Sequence, residues 1–545
     1  MTTPDWSPRA VPDDLRARYW SEGLWTDDTL GQMLATALDE HAALDFRIWS
    51  RERPFRSTLG AVYERARGFA AGLRARGVGP GDVLAFQLPN WWEAAATFWG
   101  ATALGAALVP VVHFYGPKEL GYILRESRAK ALVTADAFGH LDYLAGLDTL
   151  RGDLPDLELV VVVPAEPGAP VPGGTVAFDD VAADPLSAPL PVDPDTPAVV
   201  GYTSGTTADP KGVVHSHRTL TAEVRQLLGI QAPGDRAMLV GAPVAHAIGM
   251  LAGLLGPPYR SQPVHLIDVW DPGAVLDAMI EADLTAGAGA TFFCQSLLDA
   301  PGFGSEHVER MGHVGLGGAA VPAAFADRAE GIGIGIARAY GSTEHPSTTG
   351  SSWELPREKR NYTDGRPLAG VEVRIVDEQG RDVDAGTAGE IWSRGPDLFT
   401  GYTNPALTKE AVDNEGWYAT GDIGALDADG FLTITDRKKD IIIRGGENVS
   451  AAEVEGVMAR LPGVAEVAAV AAPDARLGEH VCAFVRGAPG GDVPDLAAVR
   501  THLEAAGLAR QKWPEELRVV DELPRTPSGK VKKFVLRELL RDEHQ

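Results

Sequence analysis

The stretch Tyr202-Thr-Ser-Gly-Thr-Thr-Ala-Asp-Pro-Lys-Gly212 concentrates groups that suit an anionic ligand. Ser204, Thr206 and Thr207 offer hydroxyl donors, Gly205 and Gly212 let the backbone come close, and Lys211 adds a point charge. A polyphosphate is what such a set of groups fits. The spacing from Gly205 to Lys211 is that of a Walker loop, but Pro210 stands where the second glycine belongs and Gly212 where a metal-holding Ser or Thr should be. It is therefore not a Walker site, and taken alone it is equally a Ser/Thr/Gly surface turn.

Four further stretches carry reactive side chains. Tyr340-Gly-Ser-Thr-Glu344 gathers an aromatic plane, a flexible joint, two hydroxyls and a carboxylate, a combination that also describes a helix N-cap. Trp417-Tyr-Ala-Thr-Gly-Asp422 presents one carboxylate after a tight turn, the ordinary place for a solvated Asp. Thr435-Asp-Arg-Lys-Lys-Asp440 is a charge run leading to Arg444-Gly-Gly-Glu-Asn448, and such runs commonly form a solvated face. Pro524-Arg-Thr-Pro-Ser-Gly-Lys530 is more specific, because two prolines and a glycine set a rigid loop that presents one lysine.

In this order, from 201 to 530, these motifs resemble those of the adenylate-forming (AMP-binding) superfamily, and within it the acyl-CoA synthetase branch that acts on fatty or ring acids. The first fifty residues are covered only weakly. The resemblance implies ATP or AMP contacts from Thr203, Ser204, Gly205, Thr206, Thr207, Lys211, Gly318, Ala319, Ala339, Tyr340, Gly341 and Ser342. Tyr340 would stack on adenine, Thr343 would touch the α-phosphate and the substrate carboxylate, and Glu344 with Thr206 would hold Mg²⁺, a hard cation that prefers oxygen. Asp422 and Arg437 would take the ribose. His246, Gly317 and Gly318 would line the acyl pocket, and Arg444, Gly445 and Gly446 the path of coenzyme A. Lys439 falls at the hinge position, and Lys530 would bridge the acyl carboxylate and the α-phosphate. One departure is Ala451, where that family usually has proline.

The implied activity is ATP-dependent acyl-CoA ligation. A carboxylic acid is activated as acyl-AMP with release of pyrophosphate, and the acyl group then passes to CoA with release of AMP. Two alternatives stand beside it: an adenylating enzyme that loads a carrier protein, and a non-catalytic AMP or acyl-CoA sensor. Lys211, Glu344, Asp422 and Lys530 count against a silent sensor, and nothing argues for luciferase-type oxygen chemistry. The pocket segments carry no obvious charge, so an uncharged aliphatic, alicyclic or aromatic tail is expected.

A chain of 545 residues needs more than one core. Its net charge of -26 opposes nucleic-acid and anionic-membrane partners, so an anionic substrate needs a local basic site. Cys294 and Cys482 show no metal or disulfide spacing and read as buried fillers of a reducing, cytoplasmic compartment. No signal peptide is evident. The charge-free stretches 94–112 and 237–259 are broken by prolines and read as buried core, with no integral membrane segment. The oligomeric state is left open.

Alternating helices and strands must position these groups. Helix 59–76, strand 83–88, helix 91–104 and strand 107–112 open an α/β pattern of parallel-type sheets covered by helices. The phosphate loop is expected in the order strand, loop, helix. From Val371 an alternating pattern predicts a small β subdomain. The expected division is a large domain, 1–436, joined by a hinge to a small mobile α+β domain, 437–545, with the first fifty residues an irregular arm.

Overall fold

The protein is described from a computed structural model that covers residues 6, 8–203, 210–228, 236–319, 321–444, 447–474, 476–488, 492–525 and 530–543. Ser204, Gly205, Thr206, Thr207, Gly445 and Gly446 lie outside the described residues.

The Val83–Gln87 strand is buried at every position, as a strand covered on both faces should be. It pairs in parallel with Ala107–Pro110 and Ala131–Ala135, and Leu159–Val163 extends the run. Pro197–Thr203 joins Ala107–Pro110 in parallel, then turns antiparallel with Lys211–Ser216, which pairs with Gly401–Tyr402. The loop is thus followed by a strand, not directly by a helix. The helix His217–Leu228 comes after, because Val213 and Val214 are drawn into the sheet.

A second sheet orders Thr285–Ala286, Met238–Val240, Val264–Ile267, Asp45–Trp49 and Phe55–Thr58. Its fourth member overturns the expected irregular arm, since Asp45–Trp49 pairs in parallel with Val264–Ile267. Before it, Leu30–Glu40 is a helix closed by a capping box in which Thr29 and Gln32 satisfy each other's backbone N–H groups. Leu30, Leu34, Leu38 and Met33 form its buried stripe. The helix Asp13–Ser21 also packs inward through Leu15 and Tyr19.

A four-stranded antiparallel sheet follows: Glu372–Val376, Gly389–Arg394, Tyr418–Leu426, Leu432–Arg437. From Ile442 onward the buried apolar clusters draw only on residues 442–540, so this part carries a core of its own. Between the two lies one turn of 3₁₀ helix, Lys438–Asp440. Among the described residues no helix is long and apolar enough to cross a membrane.

Candidate active site

Tyr340 ends the Gly335–Tyr340 strand, and Asp422 sits mid-strand in Tyr418–Leu426, where register places it opposite Arg437. Tyr340 Oη donates to Asp422 Oδ2 at 2.7 Å, and Arg437 forms an ion pair with Asp422, Nε to Oδ1 at 2.7 Å. Asp422 is 3% exposed. An ionised carboxylate has about four lone-pair sites, so two further donors can be accepted, the demand that a vicinal pair of hydroxyls makes. Burial and the Asp422 charge together push the Tyr340 hydroxyl well above its ordinary range, so it remains a donor.

The residues after Tyr340 form a tight turn. A methyl on Gly341 would lie 1.9 Å from the Pro346 carbonyl oxygen, so only glycine fits. The turn's carbonyls are anchored from outside: Thr343 O by His215 Nε2 at 2.7 Å and Glu344 O by the Phe399 amide at 2.8 Å. Glu344 Oε1 accepts from Tyr402 Oη at 2.8 Å. Lys211 Nζ stands 5.4 Å from the centre of the Tyr402 ring, a cation over an aromatic face. Lys211, Tyr402 and Glu344 therefore meet at one sheet end, next to Thr203, which pairs with Lys211. A hard divalent cation fits there, since it takes one or two carboxylates and completes its shell with phosphate and water.

The expected pocket segments also converge. Ile248 reaches toward two glycines: a Cβ on Gly318 would lie 2.9 Å from its Cδ1, and one on Gly289 3.2 Å from its Cγ2. A Cβ on Gly317 would sit 2.8 Å from the Ala339 carbonyl oxygen. His246 caps the short helix Ala247–Gly249 and is lowered to about 4, chiefly by burial and secondly by Lys530. It is neutral at physiological pH.

Lys530 retains solvent contact, yet its ammonium is crowded by protein and lowered to about 8. Burial is the main cause. Arg437 and Lys439 lower it further, while Asp422 and Glu344 oppose them. A residue of the C-terminal part therefore lies within electrostatic reach of both the Asp422 pair and the Glu344 turn. Lys439, in the 3₁₀ turn, is likewise lowered by burial and then by Arg437. The turn is braced by Asp440, which pairs with Arg537 at 2.7 Å. A cleft lined by Thr420, Gly421, Arg437, Lys438 and Lys439 opens beside it. Arg444 lies apart from these groups, paired with Glu515 at 2.6 Å.

Sequence reasoning missed Tyr402, His215, His345, Asp397 and Glu223. Tyr402 and Asp397 stand in Pro396-Asp-Leu-Phe-Thr-Gly-Tyr402, an apolar run whose buried acid was a legible signal.

Comparison with known proteins identifies the family. The sequence model of the family described as "AMP-binding enzyme" matches residues 35–403, and that of the "AMP-binding enzyme C-terminal domain" matches 453–530. A medium-chain fatty-acid–CoA ligase of Escherichia coli K12 is 33% identical over 530 residues, covering 96% of this chain and 92% of the relative. A 3-[(3aS,4S,7aS)-7a-methyl-1,5-dioxo-octahydro-1H-inden-4-yl]propanoyl:CoA ligase of Rhodococcus jostii RHA1 is 36% identical over 496 residues, covering 89% and 94%. The crystal structure of ATP-bound MatB from Rhodopseudomonas palustris superposes with a TM-score of 0.83 at 27% identity, covering 94% of this chain and 100% of that one.

Proposed function

This chain belongs to the AMP-binding enzyme family, and from that premise we propose an ATP-dependent acyl-CoA ligase that works through an acyl-AMP. What supports the reading is that Lys530, in the C-terminal part, lies within electrostatic reach of Glu344 and of the Asp422–Arg437 pair. Two relatives named for aliphatic and fused-ring acids support an uncharged acyl tail, as does the Ile248 and glycine lining. ATP and coenzyme A are substrates.

A carboxylate resists thiol attack because its leaving group would be oxide. In the first step an oxygen of the acid attacks the α-phosphorus of ATP, the bond to the β-phosphate breaks, and pyrophosphate leaves. Two anions approach and the transition state gathers charge on oxygen, so the Lys530 ammonium lowers the barrier electrostatically. Thr343 would contact the same phosphate. Asp422 and Arg437 would fix the ribose, Tyr340 the adenine with Gly318, Ala319, Ala339, Gly341 and Ser342 around it, and Thr203, Lys211 and the loop 204–207 the outer phosphates. Mg²⁺ neutralises phosphate charge when bound, and Glu344 with Thr206 would hold it.

In the second step the CoA sulfur attacks the carbonyl carbon, AMP leaves and the thiol proton passes to solvent. Lys530 would stand in the approach this sulfur needs, so the small domain, 437–545, would turn about Lys439. That turn would bring Arg444, Gly445 and Gly446 to the site. His246, Gly317 and Gly318 would line the acyl pocket. Both cysteines are free and buried, which supports a reducing, cytoplasmic setting.

The test is a panel of carboxylic acids screened for pyrophosphate release, followed by CoA titration. Acid-dependent pyrophosphate and CoA-dependent AMP are expected. AMP release that requires a phosphopantetheinyl carrier protein and ignores CoA would overturn the choice of acceptor.

A further inference from the structure

Behind the 341–346 turn lies a polar cluster that no step above uses. Glu223, in His217–Leu228, and Asp397, in the loop after Gly389–Arg394, are both 0% exposed. The two carboxyls face each other within interaction range, and among the described residues each keeps one buried oxygen without a donor, Glu223 Oε2 and Asp397 Oδ2. Two carboxyl oxygens can bond only through a proton that one of them holds.

The remaining atoms are satisfied in a way that assigns this proton to Glu223. Asp397 Oδ1 faces His345 Nε2 at 3.2 Å, and His345 Nδ1 and Ser393 Oγ are hydrogen-bonded at 2.8 Å. Ser347 Oγ donates to Glu223 Oε1 at 2.5 Å. Burial and the Asp397 charge raise the Glu223 carboxyl well above its ordinary range. Burial opposes ionisation of Asp397 as well, but His345, Glu223 and a backbone amide together outweigh it and hold that group low. Arg9, Tyr19 and His215 also face Asp397 electrostatically, from the N-terminal segment and the Lys211–Ser216 strand. The fit is close, since a Cβ on Gly395 would lie 2.7 Å from His345 Nε2 and 3.0 Å from Asp397 Oδ1.

The cluster is joined to the proposed machinery through His345. The Ser342 amide donates to His345 O at 2.9 Å, and the His345 amide donates to Ser342 Oγ at 3.2 Å. Thr343 and Glu344 lie inside that closed turn, and Glu344 O is held by Phe399, two residues beyond Asp397.

We propose that Glu223 and Asp397 share one proton, and that this acid–carboxylate pair, acting through His345, is the positioning device that sets Thr343 and Glu344 for the nucleotide. The tasks of those two residues rest on the ligase reading; the shared proton does not. The device also senses alkali. Glu223 takes up a proton on folding that the unfolded chain releases near its ordinary 4.5, so the stability it contributes falls as pH rises toward its elevated folded value. Beyond that value two anions would be buried in contact, and the turn would lose its anchor.

The experiment uses the full chain. Infrared difference spectra at neutral pH, unaltered protein minus Glu223→Gln, should show a protonated carboxyl band lost in the variant. Glu223→Gln should also flatten the decline of melting temperature with rising pH, because an amide cannot ionise. Asp397→Asn should raise KM for ATP roughly tenfold or more while kcat changes less, with Ser347→Ala, a milder change, moving in the same direction by a few-fold. Absence of the carboxyl band, or an unchanged pH slope in Glu223→Gln, would overturn the shared proton. A band that is present with KM unmoved in both Asp397→Asn and Ser347→Ala would overturn the positioning role. An unaltered protein that releases no pyrophosphate with any acid would instead overturn the ligase reading and leave the infrared result standing.

Discussion

Tyr340 Oη and Asp422 Oδ2 are 2.7 Å apart although 82 residues separate them in the chain. The bond joins two sheets, and Arg437 closes the group from the neighbouring strand. Asp422→Asn removes the charge that balances Arg437 and leaves a guanidinium beside a neutral amide. Loss of a hydrogen bond to a charged group costs about 1.5–3 kcal/mol, so KM for ATP should rise roughly 10- to 100-fold. Tyr340→Phe, which removes only the donor, should cost less. Isothermal titration with ATP checks the order, and an equal loss in both variants would contradict it.

Lys530→Ala should lower pyrophosphate exchange by about 10²–10³-fold, the scale for removing one electrostatic contact to a transition state. Thioester formation from preformed acyl-AMP should be spared. The sign of the pH effect follows from the lowered ammonium. Below about 8 it is charged and active, and as pH rises through that value kcat/KM for the first half-reaction should fall. Equal loss of both half-reactions in the variant would refute the division of labour.

Tyr402 is the hydroxyl that fixes Glu344. Removing it in Tyr402→Phe leaves the carboxylate free to turn, at a cost of about 1 kcal/mol. The Mg²⁺ concentration for half-maximal pyrophosphate release should rise a few-fold, with little change in melting temperature. A normal Mg²⁺ requirement would remove Tyr402 from the site.

The glycine wall makes a steric prediction. Gly317→Ala puts a methyl 2.8 Å from a carbonyl oxygen that cannot move, so activity with every acid should fall. Ile248→Ala instead empties space between Gly289 and Gly318, and kcat/KM should shift toward bulkier acids. Competition assays with a short and a branched acid measure the shift.

The large elements were legible because their signals are local. The helix Leu59–Ala75 and the strand Val83–Gln87 follow from periodicity and a continuous apolar run. The helix Leu30–Glu40 falls within the stretch expected to be an irregular arm, although Thr29 and Gln32 mark its start as a capping box. The strand Asp45–Trp49 was less readable, since one of its two partners, Val264–Ile267, lies more than 200 residues away, and only the other, Phe55–Thr58, is local. At the site, the resemblance named Asp422 and Arg437, and the structure supplied the register that puts them face to face. Glu223 and Asp397 could not have been paired from sequence, because their meeting depends on how a helix packs behind a loop.

The same register has a mechanical meaning. Arg437 is the last residue of its strand, and the 3₁₀ turn proposed as the pivot begins at the next position. On the proposed reading, with the pivot at Lys439, Arg437 would stay with the large sheet although the expected boundary falls one residue before it. A swivel there would leave the sugar clasped while the far end of the chain swings through a long arc. Adenosine would then stay parked through the proposed cycle as the lysine departs and the thiol arrives, and the intermediate would not need release between the two reactions.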